Sequence, residues 1–139
     1  MYIEFDDSLI TGNETIDSQH KELIDCIQKF VNSCEDNSSA DKSDEMLKYL
    51  IDYTVFHFTA EEKLQEDVSY PGLKEHRAKH EEFKETLAQL EDKMKAEGTS
   101  EAFAAEIKDK VVEWLFNHIK VFDRSVAEFI NMYENPGLL

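Results

Sequence analysis

The sequence predicts an all-α protein, an up-down-up-down four-helix bundle with an irregular N-terminal arm. Two observations carry this prediction. Apolar residues recur at three- or four-residue steps along four stretches separated by short polar punctuation. With only 4 Gly and 2 Pro, the chain also has too few turn formers for a sandwich or barrel, while its 41% hydrophobic and 11% aromatic content supports a packed core. At 139 residues the expectation is one domain over 1–139, with an arm at 1–16, the bundle at 17–133 and a tail at 134–139.

In the arm, Tyr2, Ile3, Phe5, Leu9 and Ile10 are available to pack on the bundle. The alternation around Ile3 and Phe5 has no second strand to pair with, so an extended arm is expected. The first helix is read as starting after Asp17, a suitable N-cap, with His20, Leu23, Ile24, Ile27, Val31 and Cys34 in phase and an end near the polar run Glu35 to Ser39. The second spans about Asp41 to Glu66 and keeps Leu47, Leu50, Ile51, Thr54, His57, Glu61 and Leu64 on one stripe, until Tyr70, Pro71 and Gly72 stop the chain. The third runs from about Leu73 to Ala96 through His76, His80, Phe83, Leu87, Leu90 and Met94, and Gly98 and Thr99 close it. The fourth begins near Ser100 and continues through Phe103, Ile107, Val111, Trp114, Leu115, His118, Phe122, Val126 and Phe129 to the breakers Asn135, Pro136 and Gly137.

Charge narrows the partners. Against 31 Asp and Glu stand 15 Lys and Arg, a formal net charge of −16, which repels phosphates and anionic headgroups, so nucleic acid and membranes are not expected partners. The N-terminal stretch is acidic where a secretory signal is basic, and no apolar stretch reaches transmembrane length, so a cytoplasmic protein, acting as a monomer, is expected. Cys26 and Cys34, eight residues apart, lie about 12 Å apart along one helix, beyond disulfide reach. That spacing also exceeds the usual two to four of a metal-binding cysteine pair.

The histidines carry the functional signal. All five fall on the apolar stripe of their own helix. A single such residue is ordinarily a hydrogen-bonded core histidine, but five imidazoles buried with carboxylates leave many polar atoms to satisfy, at about 1–3 kcal/mol for each failure. His57 with Glu61, and His76 with His80, are four apart and project to one side of their helices. His20 and His118 join from the first and fourth segments, and Asp123 follows in the stretch HIKVFD, so every helix supplies ligands. Two octahedral ions offer about twelve positions, of which five imidazoles and two bridging carboxylates fill about nine. A bridging oxide or hydroxide fills one more on each ion, and the single position left suits a small exogenous ligand. This donor set favours iron or manganese over a structural zinc, and the absence of Glu-x-x-His separates it from ferritin-like di-iron sites. His118 and Asp123 are five apart, which on a regular α-helix turns them about 140° from each other. Convergence on one cluster therefore requires a π-bulge or an equivalent distortion within residues 117–124.

His20, the HFTAEE stretch from His57, YPGLKEHRAKH from Tyr70 to His80, and WLFNHIKVFD from Trp114 to Asp123 resemble the hemerythrins, in particular the single-domain bacterial type. The resemblance runs from about Phe5 to Phe129, and all seven ligand positions are present at the family spacing. It implies two iron ions per chain bridged by oxide or hydroxide. His76, His80 and His118 would hold one iron and His20 and His57 the other, with Glu61 and Asp123 between them and dioxygen as the small ligand. It also implies an apolar oxygen pocket of Leu23, Phe58, Trp114, Leu115 and Ile119, residues that core packing would bury in any case. Two positions depart from the family. Gln65 stands where Met is usual, four residues past Glu61, and either reaches the oxygen pocket or turns to backbone or water near the helix end; Phe5 replaces a Trp common in the arm. Reversible oxygen binding for storage, delivery or sensing is the leading expectation. A di-iron enzyme acting on peroxide or nitric oxide, and iron storage or buffering, are the alternatives.

Overall fold

The computed structural model describes residues 2–35 and 40–135. Helix α1 spans Glu14–Glu35, α2 Ala40–Asp67 and α3 Leu73–Glu97. The fourth helix runs as Glu101–Ile107, Glu113–His118 and Arg124–Glu134, joined without a break by π-helical stretches at Lys108–Val112 and Ile119–Asp123. α1 packs on α2 and on the fourth helix, and α3 packs on α2 and on the fourth helix, which gives the expected up-down-up-down bundle. Among the described residues there is no strand, and no helix is long and apolar enough to cross a membrane. Residues 36–39 and 136–139, which include most of the expected end of α1 and the expected breakers Pro136 and Gly137, lie outside the described residues.

The caps show where sequence signals competed. α1 starts three residues ahead of Asp17, because Asn13 takes the capping role and its Oδ1 accepts the Ile16 N–H at 3.0 Å. Asp17 turns back instead, accepting from the Thr11 N–H at 2.9 Å and the Thr11 hydroxyl at 2.7 Å, and so ties the arm to the first turn. The fourth helix begins where expected, and Ser100 caps it by accepting the Phe103 N–H at 3.1 Å. Gly98 closes α3 at φ +74°, a conformation side chains resist, and its N–H reaches the Met94 carbonyl at 2.8 Å. In the arm Ile3 and Leu9 are buried and Phe5 packs at the edge of the core, but Tyr2 and Ile10 face solvent. A short 3-10 turn at Asp7–Leu9, capped by Asp6, brings Leu9 inward, and Arg124 holds the arm by donating to the Ser8 and Ile10 carbonyls.

The core has two parts. The larger includes Leu23, Ile27, Phe30, Leu47, Leu50, Phe58, Phe83, Phe103, Ile107, Leu115 and Ile119. The smaller joins Ile16, Val68, Val126, Ala127 and Ile130, with Leu64, Tyr70 and Phe129 at its edge. All five histidines and both carboxylates of the expected cluster are buried and belong to neither part.

Burial in the fourth helix follows a strict four-residue step: Phe103, Ile107, Val111, Leu115, Ile119, Asp123 and Ala127 are all inside. On a regular α-helix each such step overshoots by about 40°, and six of them rotate the stripe by about 240°, away from the core. Each π turn inserts a residue and takes back about 100°. Two of them, closed by Glu113 N–H to the Lys108 carbonyl and Arg124 N–H to the Ile119 carbonyl, keep the stripe facing inward. The second is the wide turn expected from the His118–Asp123 spacing; the first was not anticipated.

Cys26 and Cys34 are both buried free thiols. Burial first, then the neighbouring Glu22 and Asp25 carboxylates, push the Cys26 thiol up to about 11. As the thiolate is the nucleophile, Cys26 should resist alkylation by iodoacetamide at pH 8 in the folded chain and react promptly in denaturant, with the modified residue identified by mass spectrometry.

Candidate metal centre

Four helices deliver the cluster. His20 comes from α1, His57 and Glu61 from α2, His76 and His80 from α3, and His118 and Asp123 from the fourth helix across its second π turn. None of the seven is more than 4% exposed. Their ligand atoms form two overlapping groups, Glu61, His76, His80, His118 and Asp123 in one and His20, His57, Glu61 and Asp123 in the other, within 4.8 Å of one another in each.

The two carboxylates belong to both groups, and each divides its oxygens between them. Glu61 Oε1 lies 2.9 Å from His76 Nε2 and 3.4 Å from His80 Nε2, whereas Oε2 lies 3.4 Å from His57 Nε2 and 3.9 Å from His20 Nε2. Asp123 Oδ1 is 2.9 Å from His76 Nε2 and 3.1 Å from His118 Nε2, whereas Oδ2 is 2.9 Å from His20 Nε2. Three imidazoles therefore face one side of the carboxylate pair and two face the other.

These contacts exceed what protons satisfy. His76 Nε2 sits 2.9 Å from Glu61 Oε1, from Asp123 Oδ1 and from His118 Nε2, yet it carries one hydrogen at most. All four carboxylate oxygens, with His20 Nε2, His57 Nε2 and His80 Nε2, are buried without a hydrogen bond. Imidazole nitrogens and carboxylate oxygens converging in this way fit a pair of metal cations, each of which accepts lone pairs from several donors at once where a single hydrogen cannot.

Burial opposes ionisation of both carboxylates, but the imidazoles outweigh it. Glu61 is held below its usual value through His76 and His80, and Asp123 well below through His118, His20 and His76. Burial pushes His57 down to about 4. At His76 burial acts in the same direction, but the Asp123 and Glu61 carboxylates, each 2.9 Å from Nε2, prevail and lift the ring to about 9.

The outer ring nitrogens identify three residues that sequence spacing did not mark for this role. His57 Nδ1 is 2.7 Å from Gln19 Oε1, His80 Nδ1 is 2.8 Å from Glu62 Oε2, and His76 Nδ1 is 3.0 Å from Gln65 Nε2. Arg77 in turn donates to Glu62 and Glu66 at the surface. Such partners fix the tautomer and orientation of ligating histidines. Gln19 and Glu62 adjoin ligands in the sequence, the only signal they offered.

Of the expected oxygen-pocket residues, Leu23, Phe58, Leu115 and Ile119 are buried in the larger core part, and half-buried Trp114 packs against it. Phe58 stacks on His80 at 3.8 Å between centroids, and Trp114 stacks on His118 at 4.5 Å. Gln65 does not join them. Its side chain bonds to His76, and α2 beyond it carries Val68 of the smaller core part. Of the two expected orientations, toward the pocket or toward backbone and water, neither describes this contact.

The family described as Hemerythrin HHE cation binding domain matches residues 11–130. The bacteriohemerythrin of Pseudomonas aeruginosa (strain LESB58) is 30% identical over 129 residues, covering 93% of this chain and 82% of the relative. Myohemerythrin of Riftia pachyptila is 34% identical over 119 residues, 86% of each chain. A crystal structure of wild-type hemerythrin, 24% identical, superposes with a TM-score of 0.80 over 94% of this chain and 98% of that one. With the family pattern matched across nearly the whole bundle, the chain belongs to the hemerythrin family.

Proposed function

We propose that this chain is a non-heme di-iron protein that reversibly binds dioxygen at one open coordination position, for oxygen storage, delivery or sensing. The observation that carries the reading is the unequal division of imidazoles about two shared carboxylates, three on one side and two on the other. His76, His80 and His118 would hold one iron and His20 and His57 the other, with Glu61 and Asp123 shared between the two. The side with two imidazoles offers fewer protein donors and is where a small ligand would have room to bind. When bound, iron would supply the redox chemistry that reversible oxygen binding needs.

The chain's own residues supply placement and dryness. Glu61 and Asp123 space the two sites, and the π turn at Ile119–Asp123 brings Asp123 to the same side as His118. Leu23, Phe58, Leu115 and Ile119, all nearly inaccessible, exclude water and anions from the open position, which slows irreversible oxidation. Turnover of peroxide or nitric oxide drew its sequence support from Gln65 as a polar group in the pocket. With Gln65 bonded to His76, that support is gone. Storage of iron is not favoured by any feature of the cluster. The chain is taken to act as a monomer in the cytoplasm.

Purified chain expressed in iron-replete medium should contain two irons, and His80→Ala or His118→Ala should lose at least one of them by metal analysis; near one iron, or mainly zinc, in the parent overturns the assignment. Leu115→Ala should speed oxidation of the ferrous centre in air, followed by stopped-flow absorption, with the iron content unchanged. Removing iron should make the amides of residues 119–124 exchange with solvent sooner than those of α1, because ligation is what over-determines the wide turn. Hydrogen exchange by mass spectrometry reads that order directly.

A further inference from the structure

Gln65 is 0% exposed and follows Glu61 by one helical turn. The Tyr70 N–H donates to its backbone carbonyl at 2.9 Å, which holds the end of α2 in place. Its amide nitrogen lies 3.0 Å from His76 Nδ1, and its amide oxygen has no hydrogen-bond partner. His76 is the imidazole in closest contact with both carboxylates at once, 2.9 Å from each.

We propose that Gln65 is a positioning residue for His76, its carboxamide holding the ring from behind so that Nε2 stays aimed between Glu61 and Asp123 whether that nitrogen carries a proton or a cation. The argument rests on the metal-centre reading above. An imidazole that ligates through Nε2 keeps its hydrogen on Nδ1 and needs an acceptor there. A neutral imidazole whose Nε2–H points at a carboxylate leaves Nδ1 bare and needs a donor, whereas a ring protonated on both nitrogens again needs an acceptor. A carboxamide carries both on one planar end, and a half-turn of that end exchanges them without moving the helix or the ring. The pair therefore stays bonded as metal or protons come and go, with Gln65 Nε2 donating to a bare Nδ1 and Gln65 Oε1 accepting from one that carries hydrogen.

The thioether of methionine is only a weak acceptor and donates nothing, whereas a carboxylate accepts but does not donate. The three side chains are therefore expected to behave differently. In Gln65→Met the His76 ring loses its outer partner, and release of one iron from the ferrous full-length chain to an excess of ferrous chelator, measured without air, should quicken by about tenfold or more. In Gln65→Glu the acceptor is retained, and release should stay at or below the parent rate. Proton spectra of the ferrous protein supply a readout that packing does not mimic: the exchangeable His76 imidazole N–H should exchange with solvent faster in Gln65→Met than in the parent or Gln65→Glu. Unchanged release in Gln65→Met, from a parent that holds two irons, overturns this inference alone. Equal acceleration in both variants also overturns it, since loss of packing would then suffice. A parent chain that takes up no iron overturns the metal-centre reading and this inference with it.

Discussion

Two carboxylates buried in the middle of a helical bundle set the terms for everything around them. Glu61 and Asp123 are each about 1% exposed, and an isolated carboxylate in such surroundings is costly enough that an unpaired one would take up a proton. Both are held ionised by imidazoles on every side. That constraint fixes the meeting point of four helices, because no single helix places enough nitrogen donors around two carboxylates. It also explains why the apolar core is split, with the charged layer lying between a larger and a smaller cluster.

The wide turns in the fourth helix follow from the same demand. His118 and Asp123 both address His76, and a regular helix would send one of them outward. The π turn at Ile119–Asp123 resolves this locally, while the one at Lys108–Val112 corrects the accumulated rotation of the buried stripe on the way there. Arg124, the residue after Asp123, spends its guanidinium on the carbonyls of Ser8 and Ile10, so the arm is fastened to the end of the distorted segment. Outside the cluster, Gln19, Glu62 and Gln65 hold the outer nitrogens of three rings, two by amides and one by a carboxylate. The orientation of the inner nitrogens is thereby shared with residues that never face the centre.

Much of this was legible before any coordinates. The four helices, the start of the fourth near Ser100 and the Gly98 stop follow from periodicity and local breaker chemistry, which act over a few residues. The seven cluster residues stood out because polar groups on an apolar stripe demand partners, and the His118–Asp123 gap required a wide turn by angle alone. The four-residue step from Phe103 to Ala127 was also present in the sequence and implied the second wide turn, but a scan for three- and four-residue steps does not register the drift that repeated fours produce. At the start of α1, Asn13 and Asp17 are both good caps, and sequence gave no means of choosing between them.

What the sequence determined by itself was the set of residues that must be inside and the helical frame that carries them, because burial pattern and backbone propensity are written in nearest neighbours along the chain. Only the tertiary structure decided which groups face one another. That Glu61 and Asp123 divide their oxygens between three imidazoles and two, that Asp17 holds the arm, and that Gln65 turns to the back of His76 depend on the rotation and height of helices distant in sequence. Such contacts are settled by packing across the bundle, where a difference of one ångström or one rotamer decides the partner, and no spacing along a single helix encodes that distance.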